Sequence, residues 1–218
     1  SITPFQCEIM DFFEQATQNK PASVSVCVPQ SLDPTNLQSV QILKTDAGVQ
    51  FGVWSEKPSF PAPTLFIFSG TIEQSLGDVY FRQCGNTLVK EGYLCVSIDL
   101  PGHGSELKEK GAKGLSNWRY QVEKGEKFMD EFMTQLTSVL DYLIEQGYTD
   151  KDRVAVCGTS RGGYVAIRFA ASDSRVRCAV GFSPVTSLLA LSEFRNLEKP
   201  EVAQKYSLES YADKFKNQ

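Results

Sequence analysis

From residue 64 onward, short apolar runs alternate with segments in which apolar residues recur at helical spacing. Such runs are typical of strands covered on both faces, and the helical segments supply crossover connections between them. The predicted strands are Thr64–Phe68, Tyr93–Asp99, Arg153–Cys157 and Arg177–Phe182, and the predicted helices are Asp78–Glu91, a long helix from Phe128 that stops at Gly147, and Gly163–Ala171. This order favours α/β architecture, a three-layer α/β/α sandwich around a mostly parallel sheet.

Two β-rich runs precede this alternation. Ser39–Thr45 and Val49–Trp54 flank the turn signal Asp46-Ala47-Gly48, and so predict an antiparallel hairpin at one edge of the sheet. Val49, Phe51 and Val53 alternate with Gln50, Gly52 and Trp54. We therefore expect the hairpin to bury only one face.

The composition excludes several classes of function. The chain of 218 residues carries 22 basic and 26 acidic residues, and its net charge of −4 argues against nucleic acid or an anionic membrane surface as a partner. No apolar run approaches the roughly 20 residues that span a bilayer, and Ser1-Ile2-Thr3-Pro4 lacks the basic region of a signal peptide. We interpret residues 1–38 as an N-terminal extension and residues 39–218 as a single domain.

The six cysteines are interpreted as packing residues. Four fall within predicted strands or a predicted helix, where free cysteine is commonly buried: Cys84, Cys95, Cys157 and Cys178. A Cys7–Cys27 pair is the alternative use of the other two. No C-x-x-C motif or Cys–His spacing indicates a metal, so we expect no metal, no cofactor and a cytoplasmic location.

The segment Val154–Tyr164 carries the clearest chemical signal. It predicts a strand that runs into Gly158-Thr159-Ser160-Arg161-Gly162 and then directly into a helix. In this context Ser160 occupies a strained turn that points its hydroxyl out above the sheet, and the glycines stand where a Cβ would collide with neighbouring backbone. The backbone N–H of Arg161 would then face an oxyanion formed on attack. The alternative is a chance match in an ordinary turn.

With this elbow, three further segments resemble the α/β-hydrolase superfamily and follow its order along the chain. Leu65–Thr71 resembles the third strand and its oxyanion loop, Asp99–Ser105 resembles the D-x-x-G-H-G turn after the fourth strand, and Arg177–Pro184 resembles the sixth strand. The Gly-Gly pair after Arg161 is similar to the elbow of prolyl-oligopeptidase-like and dienelactone-hydrolase-like members. The resemblance covers residues 39 to 195.

The resemblance implies an oxyanion hole with two backbone donors. Arg161 supplies one, and the loop after Phe68 supplies the other, with Thr71 as the first candidate and Gly70 as the next. This loop departs from the His-Gly-Gly-Gly form of lipases, and an ordinary strand–helix loop is the alternative.

The resemblance also implies that the other members of a catalytic triad lie outside this sequence. His103 is the only histidine, and with Asp99 it falls in the turn after the fourth strand, where it would shape the mouth of the site. Its use as the base is the alternative. No carboxylate follows Phe182 until Glu193. A truncated longer hydrolase, a partner that supplies the missing elements, and a non-catalytic scaffold all fit, and we expect this chain alone to be inactive.

The expected function is hydrolysis of a small-molecule ester or amide through an acyl-serine intermediate at Ser160, with an esterase favoured over a peptidase. A non-catalytic binding or regulatory protein and a prolyl-oligopeptidase-like peptidase are the alternatives. Residues 106–120, with Trp118 and Tyr120, are expected to form an insert that overhangs the site or a solvated loop. Strand Arg177–Phe182 would lack an outer neighbour, which predicts self-association through that sheet edge.

Overall fold

The computed structural model describes residues 40–107 and 112–215. Its strands are β1 (Val40–Lys44), β2 (Gln50–Trp54), β3 (Ala62–Phe68), β4 (Leu94–Ser97), β5 (Thr149–Thr159) and β6 (Val176–Phe182). Within the described residues they form one six-stranded sheet in the order β1-β2-β4-β3-β5-β6. Strand β2 runs antiparallel to both its neighbours, and β4, β3, β5 and β6 run parallel to one another. The predicted hairpin and the predicted parallel sheet are both confirmed.

Helices connect the parallel strands. The α-helices are α1 (Ile72–Gly77), α2 (Gln83–Leu88), α3 (Leu115–Lys124), α4 (Phe128–Glu145), α5 (Arg161–Ala170) and α6 (Pro200–Gln204). Shorter 3-10 segments are Val89–Glu91, Gly104–Glu106, Leu188–Ala190, Ser192–Phe194 and Leu208–Phe215. Helix α4 matches its prediction closely, because every residue of its apolar stripe is buried against the core. These six residues are Phe128, Phe132, Leu136, Val139, Leu140 and Leu143.

The sheet separates the core into two layers, because successive strand residues point to opposite faces. Helices α3, α4 and α5 cover one face, against Phe66, Phe68 and Val156. Helices α1 and α2 cover the other, against Leu65, Ile67 and Cys157. The three-layer α/β/α sandwich is therefore confirmed.

Strand β2 corrects the expectation that the hairpin exposes one face. Phe51, Gly52, Val53 and Trp54 are all buried. Helix α1 covers the second face closely, since a Cβ added at Gly52 would meet the side chain of Ile72. The covering helix was not predicted from the sequence, and so its effect on β2 was missed.

The predicted helix Asp78–Glu91 begins later than expected. The carboxylate of Asp78 accepts a hydrogen bond from the N–H of Tyr80 at 2.8 Å, which closes a local turn, and α2 starts only at Gln83. The predicted stop is correct. Gly92 adopts φ +83° and caps the 3-10 turn Val89–Glu91 that follows α2, with its N–H donating to the carbonyl of Val89.

The four cysteines of the described residues are free and buried, as predicted, while Cys7, Cys27 and the N-terminal extension lie outside those residues. None of the described helices has both the length and the apolar character needed to cross a membrane. Residues 40–107 and 112–215 also contain no group of three or more His, Cys, Asp or Glu side chains arranged to hold a metal ion.

Candidate active site

Ser160 lies at the turn between β5 and α5, and it is exposed. Its backbone adopts φ +54° and ψ −116°, a region that residues with a Cβ rarely occupy. The predicted strained strand–turn–helix context of Ser160 is therefore present.

The flanking glycines have a steric cause. A Cβ at Gly158 would collide with the backbone of Gly162, and a Cβ at Gly162 would collide with the carbonyl of Phe68. Neither neighbour can yield, because both are backbone atoms. Glycine at these two positions allows the first turn of α5 to press against the ends of β5 and β3.

Backbone hydrogen bonds hold the elbow in this conformation. The N–H of Ser160 donates to the carbonyl of Phe182 at 2.9 Å, which joins the elbow to the end of β6. The carbonyl of Ser160 accepts from the N–H groups of Tyr164 and Val185, each at 3.1 Å. The strain at Ser160 is thus compensated by three bonds that fix both sides of the turn.

The two proposed oxyanion donors lie on neighbouring segments. Arg161 is the first residue of α5, where an N–H has no intrahelical acceptor. Thr71 is the N-cap of α1, and its hydroxyl accepts from the N–H of Gln74 at 3.0 Å. The Arg161 side chain links the segments, since its Nε donates to the carbonyl of Ser69 at 3.3 Å. Gly70 lies between Ser69 and Thr71, and its carbonyl accepts from the N–H of Leu100 at 2.8 Å.

The turn after β4 braces this loop. Asp99 is buried and accepts hydrogen bonds from the backbone of Ile72 and from the N–H and hydroxyl of Ser105. Gly104, at φ +49°, leaves room for that carboxylate, which any Cβ there would strike. Asp99 is therefore fully engaged in shaping the turn, as its place in the sequence motif indicated.

His103 is half-buried, with Nδ1 at 3.0 Å from the carbonyl oxygen of Pro101. A carbonyl can only accept, so Nδ1 carries the proton and Nε2 holds the lone pair of the neutral ring. Burial lowers the pKa of His103, and the charge of Arg161 acts in the same direction. The neutral ring is thus the favoured form near pH 7.

The described part of the insert after this turn differs from both expectations for residues 106–120. It contains helix α3, and Trp118 is completely buried, with its Nε1 donating to the carbonyl of Pro101 at 2.7 Å. Trp118 therefore neither overhangs the site nor lies in a solvated loop, because its indole packs on Phe128 and Tyr164. Tyr120 is half exposed.

An open cleft of about 390 Å³ adjoins these elements. Thr71, His103 and Arg161 line it, so the structure brings together two of the proposed site residues and the histidine. Lys113, Ser116 and Glu193 also line the cleft and were not identified as a group from the sequence. Lys113 and Ser116 lie at the start of α3, whereas Glu193 lies in the segment after β6, and the contact of Arg119 with that segment brings them to one cleft.

Comparison with known proteins agrees with this architecture. Residues 80–214 match the model of the prolyl oligopeptidase family. Among curated relatives, the chain is 32% identical over 131 residues to the hydrolase acrC of Aspergillus aculeatus, covering 60% of this chain and 28% of that protein. It is 30% identical over 128 residues to the alpha/beta hydrolase gkaG of Penicillium citrinum, covering 59% and 28%. The chain thus spans just over a quarter of the length of these relatives.

Solved structures show the same fold. The acetyl xylan esterase 1 of Thermoanaerobacterium sp. superposes with a TM-score of 0.58 at 18% identity, covering 97% of this chain and 75% of that one. The acylaminoacyl peptidase of Pyrococcus horikoshii superposes with a TM-score of 0.56 at 15% identity, covering 81% and 30%. Both are α/β-hydrolase structures, and the family match includes the elbow and extends over more than half of the sequence. The chain therefore belongs to the prolyl oligopeptidase family of α/β-hydrolases.

Proposed function

We propose that this chain carries the nucleophile and the oxyanion hole of a serine hydrolase that cleaves an ester or amide bond. In this reaction the Ser160 oxygen attacks the substrate carbonyl, and the oxyanion of the tetrahedral intermediate accepts hydrogen bonds from the N–H groups of Arg161 and Thr71. The alcohol or amine leaves with a proton, and Ser160 holds the acyl group as an ester. Water then releases the acid and restores the serine hydroxyl.

The observation that carries this proposal is the conformation of Ser160. Ser160 is a non-glycine residue at φ +54°, it is exposed at a helix N-terminus, and it lies between two glycines whose positions leave no room for a Cβ; backbone strain of this kind clusters at functional sites. The same turn does present a hydroxyl beside the amides at the start of α5. Gly70 and Thr71 follow Ser69, the residue that Arg161 contacts, which supports them as the source of a second donor.

The general base and its acid are proposed to lie outside this sequence. Ser160 and His103 share no hydrogen bond in the described part of the chain. The His103 Nδ1 faces a carbonyl rather than the carboxylate that would orient a triad histidine. Asp99 is committed to Ile72 and Ser105. A non-catalytic binding or regulatory protein is the rival proposal.

Esters are proposed ahead of amides as the first substrate class. An alkoxide or phenoxide leaving group departs with less help from a general acid than an amine does. A prolyl-oligopeptidase-like peptidase is the alternative within the same mechanism.

The test is covalent labelling with a fluorophosphonate, which reacts with activated serines. The whole gene product containing this chain should label, and Ser160→Ala should abolish the labelling. Ser116→Ala is the matched control, because Ser116 is also exposed and lines the cleft but lies in α3.

The 218-residue chain should label at least about a hundredfold more slowly than the whole product, since a serine without its base loses several kcal/mol of transition-state stabilisation. Equal rates would show that the base lies within this chain. Absence of labelling in the whole product would favour the non-catalytic alternative.

A further inference from the structure

Ser69, the first residue after β3, is held by bonds to two different helices. Its N–H donates to the hydroxyl of Ser75 in α1 at 3.1 Å, and both serine side chains are buried. Its carbonyl accepts from Nε of Arg161, the first residue of α5, at 3.3 Å. The start of α5 lies directly against Ser69, since a Cβ built on Gly162 would come within 2.9 Å of the Ser69 nitrogen. The bond from Arg161 therefore ties the end of β3 to the elbow helix.

This bond orients the peptide unit between Ser69 and Gly70. The described residues contain no cis peptide, and a trans peptide directs its C=O and its N–H to opposite sides. Because the carbonyl of Ser69 faces the Arg161 side chain, the N–H of Gly70 points away from that side chain. This orientation disfavours Gly70 as the second oxyanion donor.

The next peptide unit has a different orientation. The carbonyl of Gly70 accepts from the N–H of Leu100 at 2.8 Å, and Leu100 follows β4. Since β3 lies between β4 and β5, this carbonyl faces the β4 side, and the N–H of Thr71 faces the β5 side, where Ser160 follows. Within residues 40–107 and 112–215 we find no acceptor for the Thr71 N–H. Thr71 is therefore the donor that the loop presents toward Ser160.

Arg161 acts on both sides of this arrangement. Its own N–H lies at the start of α5 and has no intrahelical acceptor, and its side chain holds the peptide from which the orientation of Thr71 follows. We propose that Arg161 is a positioning residue of the oxyanion hole, whose side chain holds the Ser69 carbonyl so that the Thr71 N–H stays aligned with the Arg161 N–H. This inference rests on the proposed function. The rival role is a direct effect of the Arg161 charge on the substrate.

Glutamine and methionine at position 161 separate the two roles. The amide nitrogen of glutamine is as many bonds from Cα as Nε of arginine, so it can donate to Ser69 without carrying a charge. Methionine places a methyl group at the same distance and cannot donate. Positioning predicts that Arg161→Gln retains reactivity and that Arg161→Met loses it. A direct effect of charge predicts that both variants lose it.

The first measurement is the rate of fluorophosphonate labelling of the whole gene product. Arg161→Met should label about tenfold more slowly than the parent, because a displaced oxyanion donor costs less than the roughly hundredfold or greater loss that follows its removal. Arg161→Gln should label within about threefold of the parent, since it retains the bond to Ser69. Arg153→Met is the matched control and should label at the parent rate, because Arg153 bonds to Asp150 at the other end of β5.

Hydrogen exchange follows the loop without any reaction and can be measured in the Ser160→Ala form of the whole product. In Arg161→Met the amides of Ser69 and Leu100, which bond on either side of the held peptide, should exchange about fivefold faster, the effect of one weakened hydrogen bond. In Arg161→Gln they should exchange at the parent rate. The amide of Val156, within β5, should be unchanged in both variants.

Two results would overturn the positioning role. One is an Arg161→Met variant with parent rates of both labelling and loop exchange. The other is an equal loss of labelling in Arg161→Gln and Arg161→Met with unchanged exchange at Ser69, which would assign the effect to the charge. A parent that does not label at all would instead reject the proposed hydrolase, and the exchange rates would still decide whether Arg161 holds the loop.

Discussion

The carboxylate of Asp99 accepts a hydrogen bond from the backbone N–H of Ile72 across 2.7 Å. The bond joins the end of β4 to the first residue of α1, immediately after Thr71. The second carboxylate oxygen of Asp99 accepts hydrogen bonds from the N–H and the hydroxyl of Ser105. One buried side chain thus sets the relative position of the proposed oxyanion loop and of the turn that holds His103.

Asp99→Asn should lower the free energy of unfolding by about 2 kcal/mol, because an amide group has only one accepting oxygen and its NH2 would face an N–H donor. In hydrogen exchange, the amide of Ile72 should lose protection before the amides of β5 do. Asp46→Asn, at an exposed position in the β1–β2 turn, is the control and should leave both measurements unchanged. Unchanged protection of Ile72 in Asp99→Asn would mean that the loop is held by other contacts.

Gly162→Ala tests the steric basis of the elbow. Its Cβ would meet the carbonyl of Phe68, so either β3 or α5 must shift, and we expect a loss of about 3 kcal/mol in chemical denaturation. In Gly77→Ala the nearest atom to the new Cβ is Glu73 Cγ at 3.8 Å, and this helical substitution should stabilise the chain by about 0.5 kcal/mol. Equal stability of the two variants would contradict the close approach of α5 to β3.

The protonation of His103 should make stability depend on pH. Burial lowers its pKa below the ordinary value of 6.5, opposed by the bond to Pro101 and assisted by Arg161, while Asp99 raises the pKa. Above about pH 6.5 the ring is neutral in both the folded and the unfolded chain. As the pH falls, the unfolded chain takes up the proton first, so His103 contributes a loss of stability there.

The measurement is chemical denaturation at pH 8 and at pH 5 for the parent chain and for His103→Asn. The parent should lose more stability between these values than the variant, since the other titratable groups are common to both. An equal loss in the two chains would show that the ring titrates alike in the folded and unfolded states.

Strand β6 is the last strand of the described sheet, and its outer backbone edge has no neighbour among the described residues. Among its apolar side chains, Val176 and Cys178 are buried, whereas Val180 and Phe182 are half-buried. We expect the 218-residue chain to self-associate along this edge as concentration rises.

Light scattering over a concentration series should therefore show growth in mass, with slower amide exchange in β6 at high concentration. Ile42→Lys is the control at the opposite edge, where Ile42 is half exposed on β1. If that substitution abolishes the growth, the association goes through β1 instead. A constant monomer mass at all concentrations would contradict self-association through β6.

The sequence predicted the elements whose signal is local. Strand β5 and the start of α5 followed from an apolar run and paired glycines, and α4 followed from a stripe that one helix face buries completely. Helix α1 was missed because its six residues carry too short an apolar pattern, although Thr71 is a regular N-cap. Thr71 was expected to lie in the oxyanion loop, and so it was not considered as the N-cap of a helix.

The rest of the candidate site depends on contacts between distant segments. Trp118 looked like a surface residue because the polar insert around it has little apolar periodicity. Its burial follows from a bond to Pro101 and from packing against Tyr164, and no local pattern encodes either. The same holds for Glu193, which reaches the cleft only because α3 and the segment after β6 meet: Arg119 donates to the carbonyls of Glu193 and Arg195.

The two tryptophans of the chain lie on opposite faces of the sheet. Trp118 belongs to the layer of α3, α4 and α5, whereas Trp54 belongs to the layer of α1 and α2, where the guanidinium of Arg82 stacks on its ring at 4.5 Å. Each indole is therefore an intrinsic fluorophore for one layer. A single Trp→Phe substitution leaves one emission signal, which separates the melting of the layer behind Ser160 from the melting of the layer behind Thr71.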